Sequence, residues 1–168
     1  MKKTVQRIAL TLIIMAVFGL SFSCRLKKQS ISVEPGKEKT QFQYIPKLLH
    51  ETYLGMPYAD FGKAKFILPE KDTSAAAIRI TYSETFEDND IRKVTYYFDK
   101  DNKQPLYQYI IEYNSAEKLQ ELIQQKYGKP NDGSQWIFDS REGFFIRIWT
   151  FEKTLCIAGL IEGTEWTN

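Results

Sequence analysis

His50 is the single histidine of this 168-residue chain, and Glu51 follows it. A zinc-binding helix needs a second imidazole one turn away, and none exists. Any Ser-His-Asp or Cys-His arrangement would have to pass through this one ring, yet neither Cys156 nor any serine stands in a strand-to-helix elbow. Asp99-Lys100-Asp101-Asn102 opens like a calcium loop, but its sixth position is Gln104 instead of glycine and its twelfth is Ile110 instead of glutamate. Glu87-Asp88-Asn89-Asp90 is a second acidic tetrad. Both tetrads suit hairpin turns, where Asp and Asn side chains bond nearby backbone N–H groups. No glycine-rich phosphate loop occurs. Carboxylates are plentiful, and the pairing of any two into an acid–base dyad is left open. These residues assign no catalytic group, no metal ligand and no cofactor, and the chain reads as a non-enzyme.

Two cysteines remain, Cys24 and Cys156. Cys24 ends a leader in which Lys2, Lys3 and Arg7 precede an apolar run, Ile8–Leu20. Ser21-Phe22-Ser23 then places small residues at the two positions a peptidase reads. This junction resembles the signal and lipobox of a bacterial lipoprotein, in a loose form. The usual box has Leu at −3, Ala or Ser at −2 and Gly or Ala at −1, whereas here Leu20 stands one place early and Phe22 is large. The resemblance implies cleavage before Cys24, a diacylglycerol on its thiol and a further acyl chain such as palmitate on its amine. The mature protein would then be attached to a membrane of the cell envelope by its N-terminal lipid. Arg25 is not the aspartate linked to inner-membrane retention, which favours the outer membrane. Two alternatives stay open. An ordinary signal peptidase could cut the same bond and release a secreted or periplasmic protein. The leader could also stay uncleaved, although its apolar core is shorter than the ~20 residues of a spanning helix.

Loss of the leader changes the charge balance. The formal charge of +2 includes Lys2, Lys3 and Arg7, so the chain from Cys24 onward carries −1. Residues 24–40 hold five basic and two acidic groups, and residues 41–168 hold 15 basic and 19 acidic ones. A slightly acidic domain thus hangs from a basic tether with Pro35-Gly36 at its middle. The tether reads as a solvated linker that could also meet anionic headgroups. No Lys/Arg stripe runs along the domain, which argues against nucleic acid as a partner. With Cys24 acylated, Cys156 has no partner and reads as a buried structural thiol, so packing alone must hold the domain. The division is residues 1–23 as signal peptide, 24–42 as lipid-attachment site and flexible tether, and 43–168 as one globular domain.

Periodicity supplies the elements. Leu48, Leu49, Tyr53 and Leu54 predict a short helix ended by Gly55, with Pro57 opening a further turn. In Ala77–Phe86 the alternation of Ile78, Ile80 and Tyr82 with Arg79, Thr81 and Ser83 predicts a strand, and Arg92–Asp99 and Leu106–Tyr113 continue it as a three-stranded meander. Asn114 or Ser115 caps a helix whose stripe is Leu119, Leu122, Ile123 and Tyr127, and Gly128 and Pro130 end it. Gln135–Phe138, Phe144–Phe151 and Thr154–Ile161 follow as strands. Phe144–Phe151 is apolar at nearly every position, which predicts a central strand covered on both faces. The order is helix-βββ-helix-βββ. Gly55-Met56-Pro57 and Gly128-Lys129-Pro130 add a hint of duplication between the halves.

The fold class is therefore α+β, one antiparallel sheet of five or six strands with two helices on one face. Leu54–Phe61 (LGMPYADF), together with Tyr127-Gly128-Lys129-Pro130 and the later Trp136, resembles small bacterial envelope lipoproteins whose helices pack on a sheet like that of β-lactamase-inhibitor protein. That resemblance implies a fold class and no activity. A sheet with helices on one side leaves a second face. Tyr107, Tyr109 and Tyr113 alternate along one strand and are the candidate interaction residues, since exposed tyrosines anchor protein contacts; membership of the core is the alternative. The leading expectation is a non-catalytic envelope lipoprotein that binds or assembles with an envelope protein. A secreted inhibitor or ligand-binding protein without lipid is the alternative, and a carboxylate-dependent hydrolase is third.

Overall fold

The described residues form seven strands, where the sequence predicts five or six: β1 (Glu70–Asp72), β2 (Arg79–Thr85), β3 (Ile91–Asp99), β4 (Leu106–Tyr113), β5 (Trp136–Asp139), β6 (Phe145–Phe151) and β7 (Thr154–Leu160). They come from a computed structural model that describes residues 40–167 apart from Phe66, Ala75, Asp88 and Asn102. The leader, Cys24 and nearly all of the tether lie outside the described residues. The strands form one antiparallel sheet in the order β1-β2-β3-β4-β7-β6-β5.

The added strand is β1, a three-residue edge of charged side chains with no apolar alternation. The two meanders β2-β3-β4 and β5-β6-β7 meet at the antiparallel β4–β7 pair. A two-fold rotation normal to the sheet would exchange them. The Gly-x-Pro elements do not obey that rotation. Gly55-Met56-Pro57 precedes its helix, α1 (Tyr58–Ala64), whereas Gly128-Lys129-Pro130 follows α2 (Ala116–Lys126).

The first helix is thus one step later than its apolar spacing predicts. Residues 47–49 make only a 3₁₀ turn. Leu54 is held in place by the amide of buried Gln41, which accepts from its N–H at 2.7 Å and donates to its carbonyl at 3.1 Å. Gly55 N–H then donates to Leu106 O and Leu106 N–H to Met56 O, both at 2.8 Å, so this stretch runs alongside β4 and its backbone is spent there. α2 follows the predicted rules. Ser115 Oγ accepts from Lys118 N–H at 3.2 Å, and Gly128 leaves the helix at φ +66°.

Both helices and the core lie on one face. Phe61 of α1 meets Tyr82, Tyr96 and Phe98 with ring centroids 5.4, 5.1 and 4.9 Å away. Leu119 and Ile123 of α2 are buried, and Tyr127, its C-cap residue, packs on Trp136 and Phe138. Val94, Ile111, Ile146, Ile148, Leu155 and Ile157 fill the space between. No described helix is long and apolar enough to cross a membrane.

Candidate functional site

Register assigns every strand residue to the helix-covered inner face or to the outer one. On the outer face Thr81, Tyr97, Gln108, Ala158 and Arg147 form one lateral row, and Thr95, Ile110, Cys156 and Trp149 form the next. β6 contributes Phe145, Arg147, Trp149 and Phe151 here, while Ile146 and Ile148 point into the core. Phe145 is 53% exposed and Phe151 67%. The expectation that this strand is central and covered on both faces is therefore corrected. β6 is second from an edge, and its outer side carries two exposed phenylalanines with half-buried Arg147 and Trp149 between them.

The tyrosines proposed for contact do not form that surface. Tyr107 and Tyr109 are fully buried and Tyr113 is 4% exposed. Nor do they share a face. A bulge pairs Phe98 with Leu106 and the adjacent Tyr97 with Gln108, leaving Tyr107 as the extra residue. Tyr109 and Tyr113 belong to the inner core, where the Tyr109 hydroxyl meets Thr52 Oγ1 at 3.1 Å. Tyr107 turns outward, lies 6.4 Å from the Tyr97 ring and donates its hydroxyl to Glu165. Burial is the first cause that raises all three phenols above the usual tyrosine range. The physical reason for the correction is placement: Tyr109 and Tyr113 point into the core, Tyr107 is covered where it meets Tyr97 and Glu165, and the exposed rings are Phe145 and Phe151 of β6.

The segment after β7, Ile161–Thr167, supplies the rest of the outer face. Trp166 meets Trp149 edge-on at 5.3 Å and donates its indole N–H to Gln108 Oε1 at 3.1 Å. Arg79 reaches Glu165 at 3.3 Å while its guanidinium lies 4.2 Å over the Tyr97 ring. Cys156 sits beneath, 7% exposed, and burial pushes its thiol up to about 11. It is unsuited to nucleophilic work at neutral pH.

The edges of the sheet are blunted. Asn131 bonds both backbone groups of Ile137 on edge strand β5, accepting from its N–H at 2.8 Å and donating to its carbonyl at 2.9 Å. β1, at the other edge, is short and charged. Both are devices against strand addition.

The remaining chemical candidates have structural roles. His50 stacks on Phe42 at 4.5 Å, and its Nε2 lies 3.1 Å from the carbonyls of Phe42 and Ile45. Asp99 caps its own hairpin by accepting from Asp101 N–H at 2.7 Å. Glu51 and Glu84 converge on the ammonium of Lys65, with Glu84 Oε1 at 2.6 Å. The Tyr96 hydroxyl donates to the same Glu84 oxygen, and the Lys65 ammonium lies 5.0 Å from the Tyr96 ring. No group of three His, Cys, Asp or Glu side chains gathers for a metal among the described residues.

No protein-family model, no curated protein and no solved structure matches the chain. The site therefore rests on geometry.

Proposed function

We propose that this chain is a non-catalytic binding module of the bacterial cell envelope, carried on a lipid at Cys24 and contacting an envelope protein with the outer face of its sheet. The observation that carries the contact surface is the pair of exposed phenylalanines on the outer side of β6. Phe145 and Phe151 stand six residues apart, about 20 Å at ~3.3 Å per residue, with Trp149 and Arg147 between them. Aromatic rings and arginine are the side chains that anchor protein interfaces, and a monomer gains nothing from placing two phenylalanines in water. The lipid rests on the leader and the loose lipobox at residues 21–24.

The third reading, a carboxylate-dependent hydrolase, finds its nearest pair in Glu51 and Glu84. Such an enzyme needs one carboxyl held protonated beside one held ionised. Here a lysine ammonium bridges the two, which keeps both as partners of a cation. That is the arrangement of a strut beneath α1.

Two measurements test the proposal. Intact mass of the detergent-extracted mature protein is expected to show an N-terminal Cys24 carrying acyl chains. A free Cys24 would favour the secreted alternative, and a retained leader the uncleaved one. The Phe145→Ser/Phe151→Ser variant is expected to lose its envelope partner at least tenfold in affinity with its unfolding midpoint unchanged. Unaltered binding would remove the β6 row from the proposal.

A further inference from the structure

The segment Ile161–Thr167 lies across the outer face without joining the sheet as a strand. Thr164 and Thr167 fold it on itself by donating to the Ile161 carbonyl at 2.7 and 2.8 Å. Thr164 is buried, and two adjacent side chains make the segment's hydrogen bonds to the sheet. Glu165 is taken by the Tyr107 hydroxyl and the Arg79 guanidinium. Trp166 is taken by Gln108 and Trp149, and stays 37% exposed.

The floor under this segment is polar and built for hydrogen bonds. Gln108 is 4% exposed and Thr81 3%. Among the described residues, three buried polar atoms of this face have no hydrogen-bond partner: Thr81 Oγ1, Arg79 Nε and Arg147 Nε. All three residues belong to the outer face, and Thr81 and Arg147 lie on one lateral row with Tyr97, Gln108 and Ala158 between them, a row that Asp72 of β1 and Ile137 of β5 continue on either side. At ~4.8 Å per strand Thr81 and Arg147 are about 19 Å apart. Buried polar groups are nearly always satisfied in a native state, so orphans on β2 and β6, to either side of Gln108, mark a surface whose best occupant is longer than the one in place.

We propose that Ile161–Thr167 is a displaceable stand-in, and that the groove from Arg79 to Trp149 binds a peptide segment of a protein partner carrying a carboxylate followed by an aromatic side chain. The charges and shapes are complementary. The Arg79 guanidinium and Tyr107 hydroxyl receive the carboxylate, Gln108 and Trp149 receive the ring, and Thr81 and Arg147 offer hydrogen bonds to the flanking backbone. The resident Glu165-Trp166 pair is the internal copy of that ligand, and it keeps the groove closed until a partner competes. This inference rests on the reading of the outer face as the binding surface.

The test uses the full mature chain, its Glu165→Gln/Trp166→Ala variant, and a fluorescein-labelled peptide of sequence IEGTEWT followed by anisotropy. The variant is expected to bind the peptide at least tenfold more tightly than the unmodified chain. A peptide with the same two side chains replaced is expected to bind neither. Equal affinity of the two proteins, or equal affinity of the two peptides, overturns the proposal. So does a doubled mass of the unmodified chain caused by exchange of the segment between two copies. Where the variant does not fold, amide exchange of the unmodified chain decides: residues 162–167 are expected to exchange at least 100-fold faster than β7, and exchange as slow as β7 overturns displacement. None of these outcomes depends on Phe145 or Phe151, so failure here and failure of the β6 contact row are separable.

Discussion

Trp166 stands edge-on to Trp149 at 5.3 Å, joining a segment beyond the last strand to the strand that exposes the aromatic row. Two classes of aromatic residue follow from this geometry. Inner-face rings such as Phe61 close the core, and outer-face rings such as Phe151 face solvent beside that contact. Their mutational costs are expected to diverge.

Phe61→Ala removes a ring packed on Tyr82, Tyr96 and Phe98, and is expected to cost about 3–5 kcal/mol in urea unfolding. Phe151→Ser touches an exposed ring and is expected to stay within ~0.5 kcal/mol. A loss above about 1.5 kcal/mol for Phe151→Ser would mean that the outer row is part of the core.

Lys65 is nearly enclosed and holds two carboxylates and the face of Tyr96. Lys65→Met leaves Glu84 facing the Tyr96 hydroxyl without its cation, and about 3 kcal/mol of stability is expected to be lost. Adding Glu84→Gln to Lys65→Met is expected to recover part of it. An unchanged urea midpoint in Lys65→Met would show that the strut contributes nothing.

Alkali is expected to unfold the domain cooperatively. Burial holds Tyr82 up to about 12 against an ordinary 10.0, and Cys156 up to about 11 against 9.0. Tyr53, Tyr96, Tyr107, Tyr109, Tyr113 and Tyr127 are raised as well, each chiefly by burial. These groups are neutral when protonated, so the unfolded chain releases their protons first as pH rises, and stability falls with pH. Their contribution is complete below about pH 8 and drains away as pH rises through about 9 and beyond. Tyrosinate absorbance should rise together with loss of ellipticity. A gradual rise at constant ellipticity would show that these phenols are open to solvent.

Asn131→Ala removes the side-chain amide that occupies both backbone groups of Ile137. The expected cost is about 1–2 kcal/mol, with concentration-dependent association appearing in sedimentation as the β5 edge opens. A monomer at every concentration would mean the edge is protected by other means.

Much of this architecture is legible in the residues. The alternation in β2, β3 and β4, the α2 stripe of Leu119, Leu122 and Ile123, and the stop at Gly128 are local signals and mark their elements within one or two residues. β1 is invisible because Glu70-Lys71-Asp72 pairs through its backbone alone. The placement of α1 is decided by Gln41 and Leu106, distant side chain and distant strand, which no local period reports. The shared face expected of the three tyrosines fails for a similar reason. Tyr107, Tyr109 and Tyr113 alternate faultlessly in sequence, and one bulge opposite Tyr97 and Phe98 moves Tyr107 to the other face. The better signal was present in β6, where aliphatic Ile146 and Ile148 alternate with Phe145, Trp149 and Phe151. Reading that strand as uniformly apolar conceals the division.

The most direct measurement is site-specific photo-cross-linking in membranes, with the photoreactive residue placed at Phe151 and, as control, at exposed Gln120 on α2. A single adduct of one defined mass from Phe151, absent from Gln120, is the predicted result. No adduct from Phe151, or the same adducts from both positions, would contradict a binding module that works through the outer face of its sheet.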